Sequence, residues 1–230
     1  MKILAFDTST EWLSVALYDG REALAASERA GSASSERVLP LIAQTLARGG
    51  ASLAALDGIA YGAGPGSLTG VRIACGVAQG LAFGADLPVY GVPTLGAMAQ
   101  AAWRAHGVAR VIACLDARMH EVYVAAYARS GEAWTRVGEP AVHKPDAVVA
   151  PSSDDWHGAG GGFAAYPRLA QQLRLASCDA SIIPDAQSIA EWAWPHLLAG
   201  EGVPAAQAEP LYVRHRVALT SAERAAGLRL

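Results

Sequence analysis

Tyr61-Gly62-Ala63-Gly64-Pro65-Gly66-Ser67-Leu68-Thr69-Gly70-Val71-Arg72 is the stretch on which the fold turns. Before it, Leu56 to Tyr61 is a short apolar run of strand length. After it, Val71, Ile73, Ala74, Val77, Ala78 and Leu81 recur at helical spacing. The order is therefore buried strand, glycine-rich turn, helix. Gly84 supplies the stop, Leu87 to Val92 reads as the next strand, and Thr94 as the N-cap of a helix over Leu95 to Arg104. A strand that follows a strand and helix in this way implies a mixed α/β layer domain.

Toward the N-terminus, Lys2 to Phe6 is an extended apolar run ending at Asp7, and Trp12 to Tyr18 a second one. Asp19-Gly20 then signals a tight hairpin into Arg21 to Ser27. Past the serine-rich Gly31 to Ser35, the residues Val38, Leu39, Ile42 and Leu46 mark an amphipathic helix that Gly49-Gly50 stops, with Pro40 an early irregularity. Toward the C-terminus the pattern restarts. Val108 to Leu115 is an apolar strand ending in an acid, Asp116, followed by a turn and a second strand, Glu121 to Tyr127. The repeat suggests two related α/β subdomains with a cleft between them. We place them at 1–104 and 105–207, with 208–230 a tail packing back on the first. Gly158 to Gly162 reads as a flexible glycine run, Ser188 to Leu198 as a helix, and Leu211-Tyr212-Val213 as a short terminal strand or hook.

The 230-residue chain is 52% hydrophobic and 17% charged, the composition of a globular protein. Every apolar segment is interrupted before the roughly 20 residues that a membrane helix needs, so no membrane is expected. The N-terminus meets Asp7 too early for a secretory signal, and a cytoplasmic location is expected. Cys75, Cys114 and Cys178 are odd in number and far apart, which suggests neither a disulfide framework nor a zinc knuckle. The net charge of -3 argues against a protein that grips nucleic acid alone, and Arg214-His215-Arg216 is the sole small basic cluster.

The glycine turn from Gly62 to Gly70 admits two readings. An anion could sit on the unpaired N–H groups opening the helix, with Gly64 and Gly66 allowing close approach. Alternatively the glycines serve packing, with Ser67 or Thr69 capping the helix. Neither lysine follows a glycine, which excludes a Walker A loop, and Pro65 stands where a nucleophile elbow needs glycine. No two of the six histidines share the i, i+4 spacing of a helical metal pair. Asp7-Thr8-Ser9-Thr10 resembles the first phosphate loop of actin-like ATPases, without that loop's usual glycine. Asp7 could equally be a turn acid that bonds its own backbone.

Several segments together resemble the TsaB (YeaZ) family: Ile3 to Thr10, Val38-Leu39-Pro40, Tyr61 to Arg72, Gln79-Gly80-Leu81-Ala82, Pro88 to Leu95, Asp116 to Tyr123 and Ala208 to Arg214. The resemblance spans nearly the whole chain in order. Gly-x-Gly-Pro-Gly-Ser-x-Thr-Gly-x-Arg is shared in outline with the catalytic relative TsaD. The His-x-x-x-His metal site of TsaD-like proteins is replaced here by Ser34-Ser35-Glu36-Arg37-Val38, and TsaB's own His-containing pair by Ser34-Ser35. The resemblance implies two actin-like, ribonuclease H-like subdomains. It also implies a non-catalytic subunit that binds TsaD directly and joins TsaE in a ternary complex, touches tRNA only indirectly, and forms a homodimer when alone. The modification is the transfer of threonylcarbamoyl to adenosine beside the anticodon of tRNA. No metal or intrinsic cofactor is expected, with ATP or ADP and magnesium placed at the complex interface. The expected docking face takes Val38, Leu39, Ile42 and Leu46 from the first helix, and Ser67, Thr69, Arg72, Ile73, Gly76, Val77 and Gly80 from the second. A nucleotide, if bound, is expected at Asp7, Thr8, Ser9, Gly64 and Gly66. The rival reading is a small actin-like ATPase or kinase using Asp7, Thr8 and Asp116, and a metallopeptidase would need ligands the chain does not offer.

Overall fold

The computed structural model describes residues 1–152 and 155–213; the basic cluster at 214–216 lies outside the described residues. Two five-stranded sheets form two lobes. In the first, β1 (Ile3–Asp7), β2 (Trp12–Tyr18) and β3 (Ala23–Arg29) run antiparallel, while β4 (Gly58–Gly64) and β5 (Val89–Pro93) lie parallel to β1, in the order β3-β2-β1-β4-β5. In the second, β6 (Arg110–Arg118), β7 (Glu121–Ser130) and β8 (Ala133–His143) are antiparallel, and β9 (His157–Ala159) and β10 (Ser177–Asp179) add to β6 in parallel. Its order, β10-β9-β6-β7-β8, is the first sheet's order with shorter parallel strands. The repeated hairpin legible at residues 3–18 and 110–127 thus extends to the entire topology, the actin-like doubling of a ribonuclease H-like sheet.

The helices show why each segment sits where it does. α1 (Ser34–Arg48) keeps its helix through Pro40, and buries Val38, Leu41, Ile42, Thr45 and Leu46 against the first sheet. α2 (Leu68–Ala85) caps on Ser67, whose Oγ accepts from Gly70 N, and ends one residue past the expected Gly84 stop at Asp86 in the left-handed region. It is 18 residues long with a mean hydropathy of 1.3, which by length and composition alone would suffice to cross a membrane, but one face of it is seated in the core of the first lobe. Its inner residues Val71, Ala74, Cys75, Ala78 and Ala82 pack on the first sheet. α3 (Thr94–His106) joins the lobes. Thr94 is not its N-cap; the Thr94 Oγ1 instead accepts from Gly64 N at 3.1 Å, tying the glycine turn to the start of α3. The two short helices α4 (Gly161–Ala165) and α5 (Arg168–Gln172) cover the second sheet, so the 158–162 run is not a loose loop but a strand end, a turn and a helix start.

The sequence boundary at 207 does not hold for the second lobe. α6 (Ala186–Leu198) returns to the first, where Ile189, Ala190 and Ala193 pack on Ile3, Ala5 and Ala60. A local pattern of small residues cannot reveal which sheet it will cover. The described part of the tail, 208–213, lies against β4 and α2: Tyr61 Oη donates to Glu209 O, Gln79 Nε2 to Ala208 O, and Leu211 N to Ala63 O at 2.7 Å.

At the back of the molecule one buried amide joins the lobes. Gln100 on α3 donates from Nε2 to Glu191 of α6 at 2.8 Å, and its Oε1 accepts from Trp134 Nε1 at 2.8 Å and Arg129 Nη1 at 3.2 Å in the second sheet. Arg129 lies over Trp103, and Trp134 stacks on Trp192. Replacing Gln100 by Leu leaves a half-buried indole N–H and a half-buried guanidinium without their acceptor. The expected loss is roughly 1 kcal/mol in urea unfolding monitored by tryptophan fluorescence, the low end of the about 1–3 kcal/mol that an orphaned buried donor costs.

Candidate functional site

The ends of β1 and β4 meet where the sequence places its phosphate loop. Asp7 closes β1, and its Oδ1 accepts from Ser9 N at 3.0 Å and Ser9 Oγ at 2.9 Å, the self-bonding turn that Asp forms after a strand. This holds Thr8 and Ser9 against the glycine turn. Ser9 O accepts from Ser67 N at 2.7 Å, and Thr8 Oγ1 donates to Gly70 O at 2.6 Å. Each motif glycine is spent on a neighbour. A side chain at Gly66 or Gly70 would overlap the carbonyl oxygens of Ser9 and Thr8, and one at Gly62 the Asp7 carboxylate. At Gly64, whose φ is +113°, it would strike Leu211 O from the tail. The packing reading of the glycine turn therefore accounts for Gly64 and Gly66, where the sequence also allowed phosphate.

Asp7 itself is sealed in. It has no exposure, and its Oδ2 lacks a hydrogen-bond partner, lying against the backbone of Gly62. Burial pushes the carboxyl from its ordinary 3.8 up to about 7; the Ser9 hydrogen bonds oppose this and the nearby Asp185 carboxylate adds to it. An enclosed acid whose ionisation burial disfavours differs from the exposed anionic group that organises a magnesium ion. Of the expected nucleotide set, Thr8, Ser9 and Gly66 do border a cleft of about 1030 Å³ between the lobes, whereas Asp7 and Gly64 lie behind it. The opposite wall includes Asp116, Arg118 and Ile182, and Gly161 opens onto the cleft with free space where a Cβ would stand. Asp116 repeats the habit of Asp7: its Oδ1 accepts from Arg118 N at 2.9 Å.

The expected docking residues divide sharply. Val38, Ile42 and Leu46 belong to the hydrophobic core, so they are not available on the surface; in α1 only Leu39, 50% exposed, faces out. The amphipathic spacing was right, but its apolar stripe covers the chain's own sheet. On α2 the expected set does lie outward. Ser67, Thr69, Arg72, Gly76 and Gly80 are exposed, with Ile73 and Val77 half-buried between them. Beyond the helix's own backbone, nothing lies within 4 Å of where a Cβ would stand at Gly76, Gly80 or Gly84, which leaves one open groove along just over two helical turns. Gly84 follows from the four-residue spacing and was missed, because it was read as a stop. Phe83, 83% exposed, was missed as well, since nothing in the local pattern distinguishes it from a core residue. The tail adds Tyr212, whose Oη accepts from Arg72 Nε at 2.9 Å.

Elsewhere the histidines are less scattered than their spacing suggests. His106 pairs with Asp179 at 2.8 Å, His157 with Ser177 Oγ at 2.7 Å, and the two imidazoles lie 5.2 Å apart. Among the described residues no three His, Cys, Asp or Glu side chains gather as a metal site would require.

The chain is similar to known proteins over nearly its full length. A family model described as "TsaD: tRNA N6-adenosine threonylcarbamoyltransferase" matches residues 26–218. A protein of Escherichia coli (strain K12) named tRNA threonylcarbamoyladenosine biosynthesis protein TsaB is 42% identical over 223 residues, 95% of this chain and 96% of that one. Its namesake in Haemophilus influenzae is 39% identical over 226 residues, 94% and 95% of the two chains. The structure titled YeaZ from Pseudomonas aeruginosa superposes with a TM-score of 0.85 at 41% identity, covering 92% of this chain and 99% of that one. A second P. aeruginosa structure, titled as a protein with similarity to peptidase YEAZ, gives 0.87 at 42% identity, covering 93% and 99%.

The buried Asp7 predicts a pH dependence with a definite sign. Its folded pKa lies above the unfolded one, so the folded chain holds a proton that the unfolded chain has already lost between pH 3.8 and about 7. Stability should fall as pH rises through that window and level off above it. Asp7→Asn should flatten the profile, and be the more stable protein at pH 8 by on the order of 2 kcal/mol in urea titrations, the scale on which an ionised carboxylate only partly compensated by hydrogen bonds is disfavoured in a protein interior.

Proposed function

Because the chain belongs to the TsaB (YeaZ) family and so takes part in the biosynthesis of tRNA threonylcarbamoyladenosine, we propose that it does so without chemistry of its own, as the scaffold on which TsaD, the threonylcarbamoyltransferase, is held. The carrying observation is the outer face of α2. Ile73, Val77 and Leu81 border a groove whose floor is Gly76, Gly80 and Gly84, and Phe83 stands free at its end. A helix this apolar has one face seated in its own core and the other turned to solvent. Glycines every four residues let a partner helix approach its backbone closely, and the Phe83 ring offers the kind of aromatic anchor that dominates interface energies.

The enclosed state of Asp7 supports the non-catalytic side of this reading. The loop that would cradle phosphate in an actin-like ATPase is used here to brace the start of α2, so the residue types persist while their chemistry is redirected to packing. In this reading TsaE joins the pair as a third subunit in the cytoplasm, ATP or ADP with magnesium is handled at the complex interface, and tRNA is met through the partner. The same α2 face pairs with a second copy of the chain when TsaD is absent, as an isologous homodimer.

Two variants on the open groove test this. Gly76→Arg and Phe83→Asp place a charge on the docking face without entering the core. Each is expected to weaken binding to purified TsaD at least about tenfold by calorimetry, consistent with loss of a hot-spot contact, and to lower tRNA threonylcarbamoylation in a reconstituted mixture in parallel. The thermal midpoint should stay near that of the native chain. Unaltered TsaD affinity in both variants would remove α2 from the interface. ATP hydrolysis by the isolated chain, abolished in Asp7→Ala, would overturn the scaffold reading in favour of an independent ATPase.

A further inference from the structure

The turn between β6 and β7 carries three successive residues in the left-handed region: Arg118, Met119 and His120, at φ of 61°, 54° and 59°. None is glycine. An L side chain held there costs about 1–2 kcal/mol, because Cβ crowds the following carbonyl, and tight hairpins ordinarily use Asn or Gly at such places. The turn is actively maintained. Asp116 Oδ1 accepts from Arg118 N, Asp116 Oδ2 from Arg118 Nη1 at 3.3 Å, and the ladder between β6 and β7 shifts register between Asp116 and Arg118.

A turn whose only task was to reverse the chain would be more stable with glycine in it. What the strained version retains is three side chains at the tip, all of them exposed, with the Arg118 side chain 88% and Met119 54% open to solvent. The position of the turn says what they face. Arg118 of the second lobe borders the same cleft as Leu68, Thr69 and Ile73 of the first, and those three open the docking helix α2. Leu68 is itself 40% exposed at that rim. A protein large enough to cover the α2 groove therefore reaches the mouth of the cleft, with the 118–120 turn across from it.

We infer that the 118–120 turn is a second contact point for the catalytic partner proposed above, with Met119 entering an apolar recess of that protein and Arg118 meeting a carboxylate beside it. The flexible thioether chain suits a recess of irregular shape, and the charge beside it sets orientation. The strain is the cost of presenting both side chains in a turn too tight to offer them otherwise. The inference rests on the scaffold reading, since it takes the same partner as its occupant.

Met119→Gly separates this from a purely structural role, because it relieves the strain while removing the side chain. The thermal midpoint should rise by about 2–4 °C, as expected for roughly 1 kcal/mol in a chain of this size. TsaD affinity by calorimetry should fall about tenfold, and Arg118→Glu should weaken it by a similar factor, more steeply at low salt. Gly76→Arg serves as the control on α2. If Met119→Gly and Arg118→Glu bind TsaD as tightly as the native chain while Gly76→Arg does not, the second contact is refuted and the scaffold reading stands. If Gly76→Arg also binds normally, α2 is not the docking face and the contact inferred from its position beside the cleft falls with it, whereas a native chain that does not bind TsaD at all would overturn the scaffold reading itself. Weakened binding by the turn variants, together with a thermal midpoint at or above the native one, supports the turn as a contact.

Discussion

The arrangement rests on one close backbone approach, the seating of the Thr8-Ser9 carbonyls on Gly70 and Gly66. Nothing larger than hydrogen fits at those two α-carbons. The approach lets Ser9 O take the Ser67 amide and Thr8 Oγ1 reach Gly70 O, so the end of β1 and the first turn of α2 become one rigid piece. From there α2 runs along the sheet with its inner face in the core, and the Thr94 hydroxyl ties the same turn to the helix that leads into the second lobe. The floor of the cleft and the line of α2 are thereby set together.

In an actin-like site an acid at the end of the first strand would face a metal, and glycine amides would face phosphate. Here the acid bonds Ser9 and is shut behind Gly62, and the glycine at position 64 is occupied by the tail carbonyl of Leu211. Burial raises the Asp7 carboxyl to about 7, so that its ionised form is disfavoured in this interior position. On α2 the apolar inner face is in the core, while Gly76, Gly80 and Phe83 are left on its outer side.

The two lobes show the same economy. Each strand-end acid, Asp7 and Asp116, bonds the residue two positions on, yet the turns that follow differ in consequence. In the first lobe the turn is buried under a helix start, and in the second it is an exposed hairpin held in the left-handed region. The lobes are joined at the back by the Gln100 amide and by the apolar contacts that α3 and Trp192 make with the second sheet, and they open toward each other on the side where α2 begins.

Much of this was legible in the residues. The strand, glycine turn and helix around Tyr61 to Leu81, the hairpin at Asp19-Gly20, and the restart at Val108 are local patterns, and local periodicity with turn chemistry reports on local structure. The family was legible for the same reason, since a long ordered motif is a local string. What the residues alone left open was direction: whether Val38, Ile42 and Leu46 face in or out, which sheet α6 covers, and whether Gly64 and Gly66 receive phosphate or protein. Periodicity gives a helix an apolar face without saying what lies against it, and a glycine permits close approach without naming the group that approaches. Those choices belong to residues far apart in the chain, Gly66 against Ser9 and Gly64 against Leu211, and only the packed tertiary structure brings them together.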